Sequence, residues 1–519
     1  MTSLLQCAEH RAVDTRAEDP LLRSRLDRWR YPRRMRRWEL TVALDGHSEQ
    51  PLFLQLASAI ADDIRRGRLR AGDALPGSRA FAERLGVHRN TVIASYSELV
   101  AEGLVVTRTG GGTFVAAPPE HLAAARAATL PPPSYALPPP LRFEPQPRQA
   151  PGVLVLAKGA PDTRLLPAEA LVRAYRRALS RHGRALLTYG DPRGHIRLRQ
   201  ELATMLSRTR GLAVGPEAVM VTRGSQMAID LVARALISPG DVVAVEALGH
   251  RGAWAALRLS GARLVPIAVD AAGLDVAALE KLLETTPLRA VYVTPHHQFP
   301  TTTVMTQARR TRLAELAARH RFALIEDDYD HEFHYEGQPI LPIAAGDNRA
   351  NIIYVGTLSK VLAPGLRIGF VVAPAPLLEL LASLRVATDL QGDQTLECAI
   401  AELFEEGEAL RHVRRMRRIY LGRRDALAAA LHKHLGGVVS FRVPDGGMAL
   451  WAAIDPAVDV AAWARASERE GVIFRGARMY DFEDRPQSFA RLGFTFHDEG
   501  ELALAARRMC KALGALRSR

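Results

Sequence analysis

The chain has 519 residues, 48% of them hydrophobic, which is enough for more than one buried core. Its formal charge of +13 and pI near 10.1 permit a polyanionic partner without naming a fold or a site. Only three cysteines occur, Cys7, Cys398 and Cys510, widely spaced and without a C-x-x-C, so neither a disulfide framework nor a metal site is expected, and no apolar run is long enough to span a bilayer. A cytoplasmic protein without a membrane partner fits these limits.

Residues 1–45 show no sustained periodicity and read as a mobile basic extension, with Arg30-Tyr-Pro-Arg-Arg-Met-Arg-Arg37 lacking the apolar centre of a secretory signal. Residues 46–116 are compact in pattern. Leu52, Leu56, Ile60 and Ile64 share one helical face after Pro51, and Ser78 is placed to cap a short helix carrying Phe81, Ala82 and Leu85 that ends at Gly86. A third helix begins near His88 and is expected to bury Val92, Tyr96, Leu99 and Val100. Two strand-like runs then flank Gly110-Gly-Gly112. Three helices and a glycine-tipped hairpin make a winged helix-turn-helix.

In such a unit the second helix of the pair enters the major groove by its N-terminal residues. Here that tip is His88-Arg89-Asn90-Thr91; arginine matches guanine and asparagine adenine, while threonine can bond a phosphate or meet a thymine methyl. Arg79 can reach a phosphate, and the wing at Gly111, Gly112 and Thr113 can approach a groove closely. The stretch from Pro51 to Val115 resembles the GntR-type winged helix through Leu75-Pro-Gly-Ser-Arg79, Leu85-Gly-Val-His-Arg-Asn-Thr91 and Gly112-Thr-Phe-Val115. That resemblance implies contact with double-stranded DNA.

Residues 117–150 are rich in alanine and proline, including two Pro-Pro-Pro runs, and read as a semi-stiff linker of partly polyproline-II character. From 151 to 519, seven apolar runs alternate with helical patterns: Ala218–Thr222, Val242–Glu246, Arg263–Ala268, Ala290–Thr294, Phe322–Glu326, Ile352–Gly356 and Ile368–Ala373. The alternation predicts an α/β unit with a mainly parallel sheet, and the stretch from about Glu397 onward a smaller α+β lobe.

Basic residues are divided unusually, with only five lysines, Lys158, Lys281, Lys360, Lys433 and Lys511, among 69 Lys and Arg. Lys360 alone follows a predicted strand, in Gly356-Thr-Leu-Ser-Lys360, where α/β sheets place ligands. A second strand ends in Asp327-Asp-Tyr329, which offers a carboxylate and a phenol, and a third runs into Arg223-Gly-Ser-Gln226 at a helix start suited to a phosphate. Thr357 and Ser359 add hydroxyls and Arg367 a cation. An amine, an anion and a phosphate cradle together suit pyridoxal phosphate, although each feature alone also fits a solvated strand end, a helix cap or an ion pair.

Tyr189-Gly-Asp-Pro-Arg-Gly194, Pro295-His-His-Gln-Phe-Pro-Thr301, Glu326-Asp-Asp-Tyr329 and Gly356-Thr-Leu-Ser-Lys-Val-Leu-Ala-Pro-Gly-Leu-Arg-Ile-Gly369 are similar to MocR-type regulators, whose large domain has the fold-type I aminotransferase architecture. The resemblance implies pyridoxal 5'-phosphate held by Lys360 as a Schiff base. It also implies a pyridine ring held by Asp327 and Tyr329, a phosphate held by Gly224, Ser225, Gln226, Thr357, Ser359 and Arg367, and Tyr189 reaching the phosphate from a second subunit of a homodimer. Arg491, in Arg491-Leu-Gly-Phe494, resembles the arginine that takes a substrate carboxylate and equally fits a structural arginine. The chain departs from the pattern twice: His250 stands where a ring-stacking tyrosine is usual, and Pro300-Thr-Thr302 replaces Pro-Thr-Gly. Two functions share these residues, a transcription regulator sensing the cofactor or an amine or amino acid effector, and a competent aminotransferase with a DNA-binding domain.

Overall fold

The computed structural model describes residues 44–45, 48, 50–117, 133–137, 150–337, 340–347 and 349–517. The basic stretch 1–45 and the linker 117–150 therefore lie almost entirely outside the described residues. The chain divides into two compact units, 1–142 and 143–519.

In the first unit, α1 (Leu52–Arg65), α2 (Ser78–Leu85) and α3 (Arg89–Ala101) precede an antiparallel hairpin of β1 (Val105–Arg108) and β2 (Gly112–Val115). Leu56, Ile60, Phe81, Val92, Tyr96, Leu99, Val105 and Val115 form one core, and the Tyr96 hydroxyl donates to Pro76 O at 2.8 Å, tying α3 to the turn before α2. The hairpin is anchored by Leu75 N to Thr113 O at 2.8 Å and Val115 N to Asp73 O at 2.9 Å. Two expectations change. Gly77, not Ser78, is the N-cap of α2, and no side chain caps it. Val100 is 43% exposed, because Val92, Tyr96 and Leu99 already complete the buried stripe of α3 and Val100 falls beyond its edge.

The second unit is built on a seven-stranded sheet of β3 (Val219–Thr222), β4 (Val242–Glu246), β5 (Arg263–Ile267), β6 (Ala290–Val293), β7 (Ala323–Asp328), β8 (Ile352–Thr357) and β9 (Gly369–Val372), in spatial order β3-β9-β8-β7-β6-β4-β5. The seven apolar runs of the sequence are these seven strands. All pairings are parallel except the two made by β9, which runs antiparallel to β8 and β3. Helices cover both faces, so both faces are apolar, as a parallel sheet requires. A smaller antiparallel sheet of β10 (Val439–Ser440), β11 (Ala449–Ile454), β12 (Arg475–Gly476) and β13 (Phe489–Gly493), in order β10-β11-β13-β12, packs with the helices Glu408–Leu435, Val460–Arg469 and Glu499–Arg517. The helix Gln394–Glu405, assigned to this lobe from sequence, packs into the large-sheet core instead. Leu154–Val155 joins the lobe by pairing with Val472–Ile473.

Candidate functional sites

The tip of α3 faces solvent. His88 is its N-cap, its Nδ1 accepting from Asn90 N at 3.2 Å, and His88, Arg89 and Asn90 are exposed. The Arg89 Nε donates to Ser78 Oγ at 3.3 Å, so the hydroxyl expected as a cap instead steadies the arginine. Arg79, Gly111 and Gly112 are exposed and Thr113 is half-buried. Gly110 and Gly112 take φ of 73° and 98°, left-handed values that let the wing turn without side chains.

In the second unit, the ends of β3, β7 and β8 bring most of the predicted cofactor residues together. Lys360, half-buried just beyond β8, donates from Nζ to Gly159 O at 2.8 Å. Desolvation, with Arg491 adding repulsion, pulls its ammonium down to about 8. Asp327 lies within β7, because that strand extends two residues further than its apolar run. Its Oδ2 accepts from Tyr292 at 2.7 Å, while its Oδ1 is buried and has no partner among the described residues. Burial, assisted by Asp328 and Asp330 and opposed by the Tyr292 hydroxyl, raises this carboxyl to about 7. Tyr329 donates to His297 O at 2.9 Å.

The predicted phosphate cradle is formed mostly by backbone. Gly224, at φ 80°, precedes the helix Ser225–Leu236, whose first N–H groups have no earlier carbonyl to bond. A side chain at Gly369 would sit 2.6 Å from the Gly224 carbonyl carbon, and one at Gly224 would sit 2.9 Å from the Arg367 guanidinium, so strand and loop approach only because both are glycine. Arg367 is exposed and donates to Arg223 O at 2.9 Å. The Thr357 hydroxyl donates to Ile368 O at 3.1 Å, whereas the Ser359 Oγ is buried and has no partner among the described residues. A buried carboxylate oxygen and a buried hydroxyl left without partners suit a pyridinium N–H and a phosphate oxygen respectively.

His250, the N-cap of the helix Arg251–Leu259, lies edge-on to Phe299 with centroids 5.8 Å apart, and desolvation, reinforced by Lys360, lowers it to about 4. It is therefore a neutral ring near pH 7. The Gln226 amide donates to Gly252 O at 2.8 Å, beside it. Thr302 adopts φ 61° where the resemblance leads one to expect glycine, and Thr302 N bonds Gln298 O at 2.7 Å. Arg491 is buried at 3% exposure on β13, with its guanidinium 4.9 Å from the Phe299 ring centroid and its Nε without a protein partner. Tyr189 stands apart, 84% exposed.

Several neighbours escaped the sequence reading. Gly159 and Lys158 approach Lys360 from the small lobe, a contact that follows from the tertiary pairing of Leu154–Val155. A cluster of four buried histidines, His296, His297, His331 and His334, also emerged; its only signals were the pair at 296–297 and the His-x-x-His at 331–334, in segments far apart along the chain.

Residues 52–115 match the model of the bacterial regulatory proteins of the gntR family, and residues 151–509 that of aminotransferase class I and II. The chain is 33% identical to the probable rhizopine catabolism regulatory protein MocR of Rhizobium meliloti, over 92% of this chain and 97% of that protein. It is 32% identical to the pyridoxine biosynthesis transcriptional regulator PdxR of Corynebacterium glutamicum, over 76% of this chain and 82% of that protein. The structure is similar to the α-aminoadipate aminotransferase LysN of Thermus thermophilus in complex with N-(5'-phosphopyridoxyl)-L-leucine, with a TM-score of 0.66 and 29% identity, covering 71% of this chain and 94% of LysN.

A winged helix followed by such a domain defines a pyridoxal phosphate-dependent, DNA-binding transcription regulator. The chain belongs to the MocR-type regulators, in which a gntR-family winged helix precedes an aminotransferase class I and II domain. Among the described residues no helix is long and apolar enough to cross a membrane.

Proposed function

We propose that two copies of this chain pair in the cytoplasm through residues 151–519, hold pyridoxal phosphate on Lys360, and present the winged helices of residues 46–116 on linkers 117–150 to two DNA half-sites. The cofactor, or an amine or amino acid effector meeting it, then biases the DNA-binding arrangement, which requires unequal affinity for the two arrangements. The carrying observation is that Asp327 Oδ1 and Ser359 Oγ, both buried and without protein partners, belong to the same strand-end cluster as Lys360.

When bound, the cofactor supplies an electron sink conjugated to an amine. The protein's share is positioning. Asp327 would accept a hydrogen bond from the pyridinium N–H, Tyr329 would face the ring oxygen, and neutral His250 would lie against the ring. Gly224, Ser225, Gln226, Thr357, Ser359 and Arg367 would hold its phosphate. The exposure of Tyr189 supports a role in the other subunit's site, and Arg491, buried with a free Nε, suits an effector carboxylate. His88, Arg89, Asn90, Thr91, Arg79 and the wing at 111–113 contact DNA.

Borohydride reduction followed by peptide mapping is expected to label Lys360, and a full label elsewhere, or none, overturns the assignment. Titration of the DNA flanking its own gene, with and without pyridoxal phosphate and a panel of amines, tests sensing; equal affinities throughout would refute it. A lysine near pH 8 also suits proton transfer, which favours transamination as a second reading. Multiple turnovers of an amino acid with a keto acid would establish that reading; none are expected.

A further inference from the structure

Beyond the ends of β6 and β7, His296, His297 and His334 bring one ring nitrogen each to within 4.8 Å of one another, and all three residues are buried. His296 is 2% exposed and, among the described residues, neither of its ring nitrogens has a partner. The same holds for both nitrogens of His334 and for Nε2 of His297. Buried polar atoms are almost always paired, so five unpartnered imidazole nitrogens in one cluster need an occupant. The other nitrogen of His297 is engaged: Nδ1 lies 2.8 Å from Asp330 Oδ1. A carboxylate holding the far nitrogen of an imidazole is the arrangement that orients a metal-ligating histidine. Gly446 leaves room at this nitrogen, since a side chain there would collide with His297 Nε2 and with Phe333 O.

We propose that His296, His297 and His334 form a binding site for one divalent transition-metal ion of the zinc class, with Asp330 as the positioning residue of His297. Three imidazole ligands match borderline cations and leave a fourth position open to water or to a further ligand. Tetrahedral coordination needs ligand nitrogens about 3.3 Å apart, so the rings close on the ion by small side-chain rotations. A second grouping, His296 with Asp328 and His331, is less suited. There His331 Nδ1 and Asp328 Oδ2 already engage each other at 2.8 Å, and the same oxygen accepts from the Tyr354 hydroxyl at 2.6 Å. The rival to any metal is a packed stack of imidazole rings, such as His296 on His331 at 4.4 Å between centroids, which leaves those five nitrogens unexplained.

The test uses the full-length, cofactor-loaded chain, stripped with a chelator and titrated with Co²⁺, followed by displacement with Zn²⁺. One equivalent of Co²⁺ per chain is expected, with a visible band of tetrahedral intensity. His334→Gln, at the edge of the cluster, and His296→Asn each lower the affinity roughly 100-fold or more, and Asp330→Asn lowers it about 10–100-fold. His331→Asn and the exposed His432→Gln leave it unchanged. Folding is read separately: Zn²⁺ raises the melting temperature of the wild-type chain and not of His334→Gln, whose far-ultraviolet dichroism matches the wild type. Absence of a stoichiometric Co²⁺ band, or a band that survives both His334→Gln and His296→Asn, overturns the site, as does its loss in His331→Asn. The borohydride label on Lys360 is read independently, so failure here leaves the cofactor assignment standing.

Discussion

Asp327→Asn is expected to move two properties of the large domain in opposite directions. In the cofactor-free chain this carboxyl is buried with one oxygen unpartnered, and it is held at about 7 against an ordinary aspartate value of 3.8. The folded chain thus keeps a proton that the unfolded chain releases, so stability falls as pH rises from about 4 to about 7 and is level above that. Three pH units at roughly 1.4 kcal/mol each put the penalty on the order of 4 kcal/mol. Asparagine removes it while keeping the shape, so cofactor-free Asp327→Asn should be more stable than the wild type at pH 8, with the gap closing toward pH 4. Cofactor binding should suffer instead, because the pyridinium loses its buried anionic partner; breaking such a pair costs about 3–5 kcal/mol, on the order of a hundredfold or more in affinity. Urea denaturation of the cofactor-free proteins at several pH values, paired with absorbance titration by pyridoxal phosphate, reads both effects. A variant no more stable than the wild type at pH 8, or one that binds the cofactor equally well, would refute the reasoning.

Ser359→Ala should weaken pyridoxal phosphate binding by about 1–2 kcal/mol while leaving the cofactor-free protein at least as stable, since the hydroxyl it removes is buried and unpartnered; equilibrium titration and thermal melts check this. Covalent capture of the cofactor should speed up about tenfold per pH unit below pH 8 and level off above it, as the Lys360 amine loses its proton near pH 8; stopped-flow absorbance follows it. Thr302→Gly should raise stability by up to about 1 kcal/mol, because relief of the left-handed φ of 61° exceeds the added chain entropy of glycine, and a chemical denaturation curve measures the difference. Arg89→Ala should cost about 1–3 kcal/mol of DNA affinity and relax preference at one base pair, seen by comparing operator variants at fixed salt.

Much of this architecture was legible because it rests on local pattern. The seven strands were visible as apolar runs, and Lys360 stood out because so few lysines compete with it. Where the reading slipped, a tertiary contact decided the outcome. Asp327 and Asp328 are polar, so the apolar run of β7 stops before them, yet pairing with Val355 and Gly356 of β8 carries the strand through. Val100 satisfies helical spacing and is exposed, since the neighbouring positions suffice to seal the small core. Arg491 looked equally structural or functional, and its placement beside Phe299 and Lys360 was not legible in the sequence. The histidine cluster was the least legible feature, because two short motifs become one group only when β6 and β7 lie side by side.

Asp327 and Asp328 are consecutive in an extended strand, so they leave the sheet on opposite faces. Asp327 accepts from Tyr292 through Oδ2, and Asp328 uses its own Oδ2 for both His331 and Tyr354, whose hydroxyl also meets Arg210. The alternation makes β7 a two-position commutator. Inserting or deleting one residue just before it would exchange the faces of the two acids, turning the carboxylate bound by His331 and Tyr354 toward Tyr292 and the one bound by Tyr292 toward Arg210. Substitutions along this strand can be graded in effect, but a change of its phase is all or none, and natural length variation should be confined to the segments outside it.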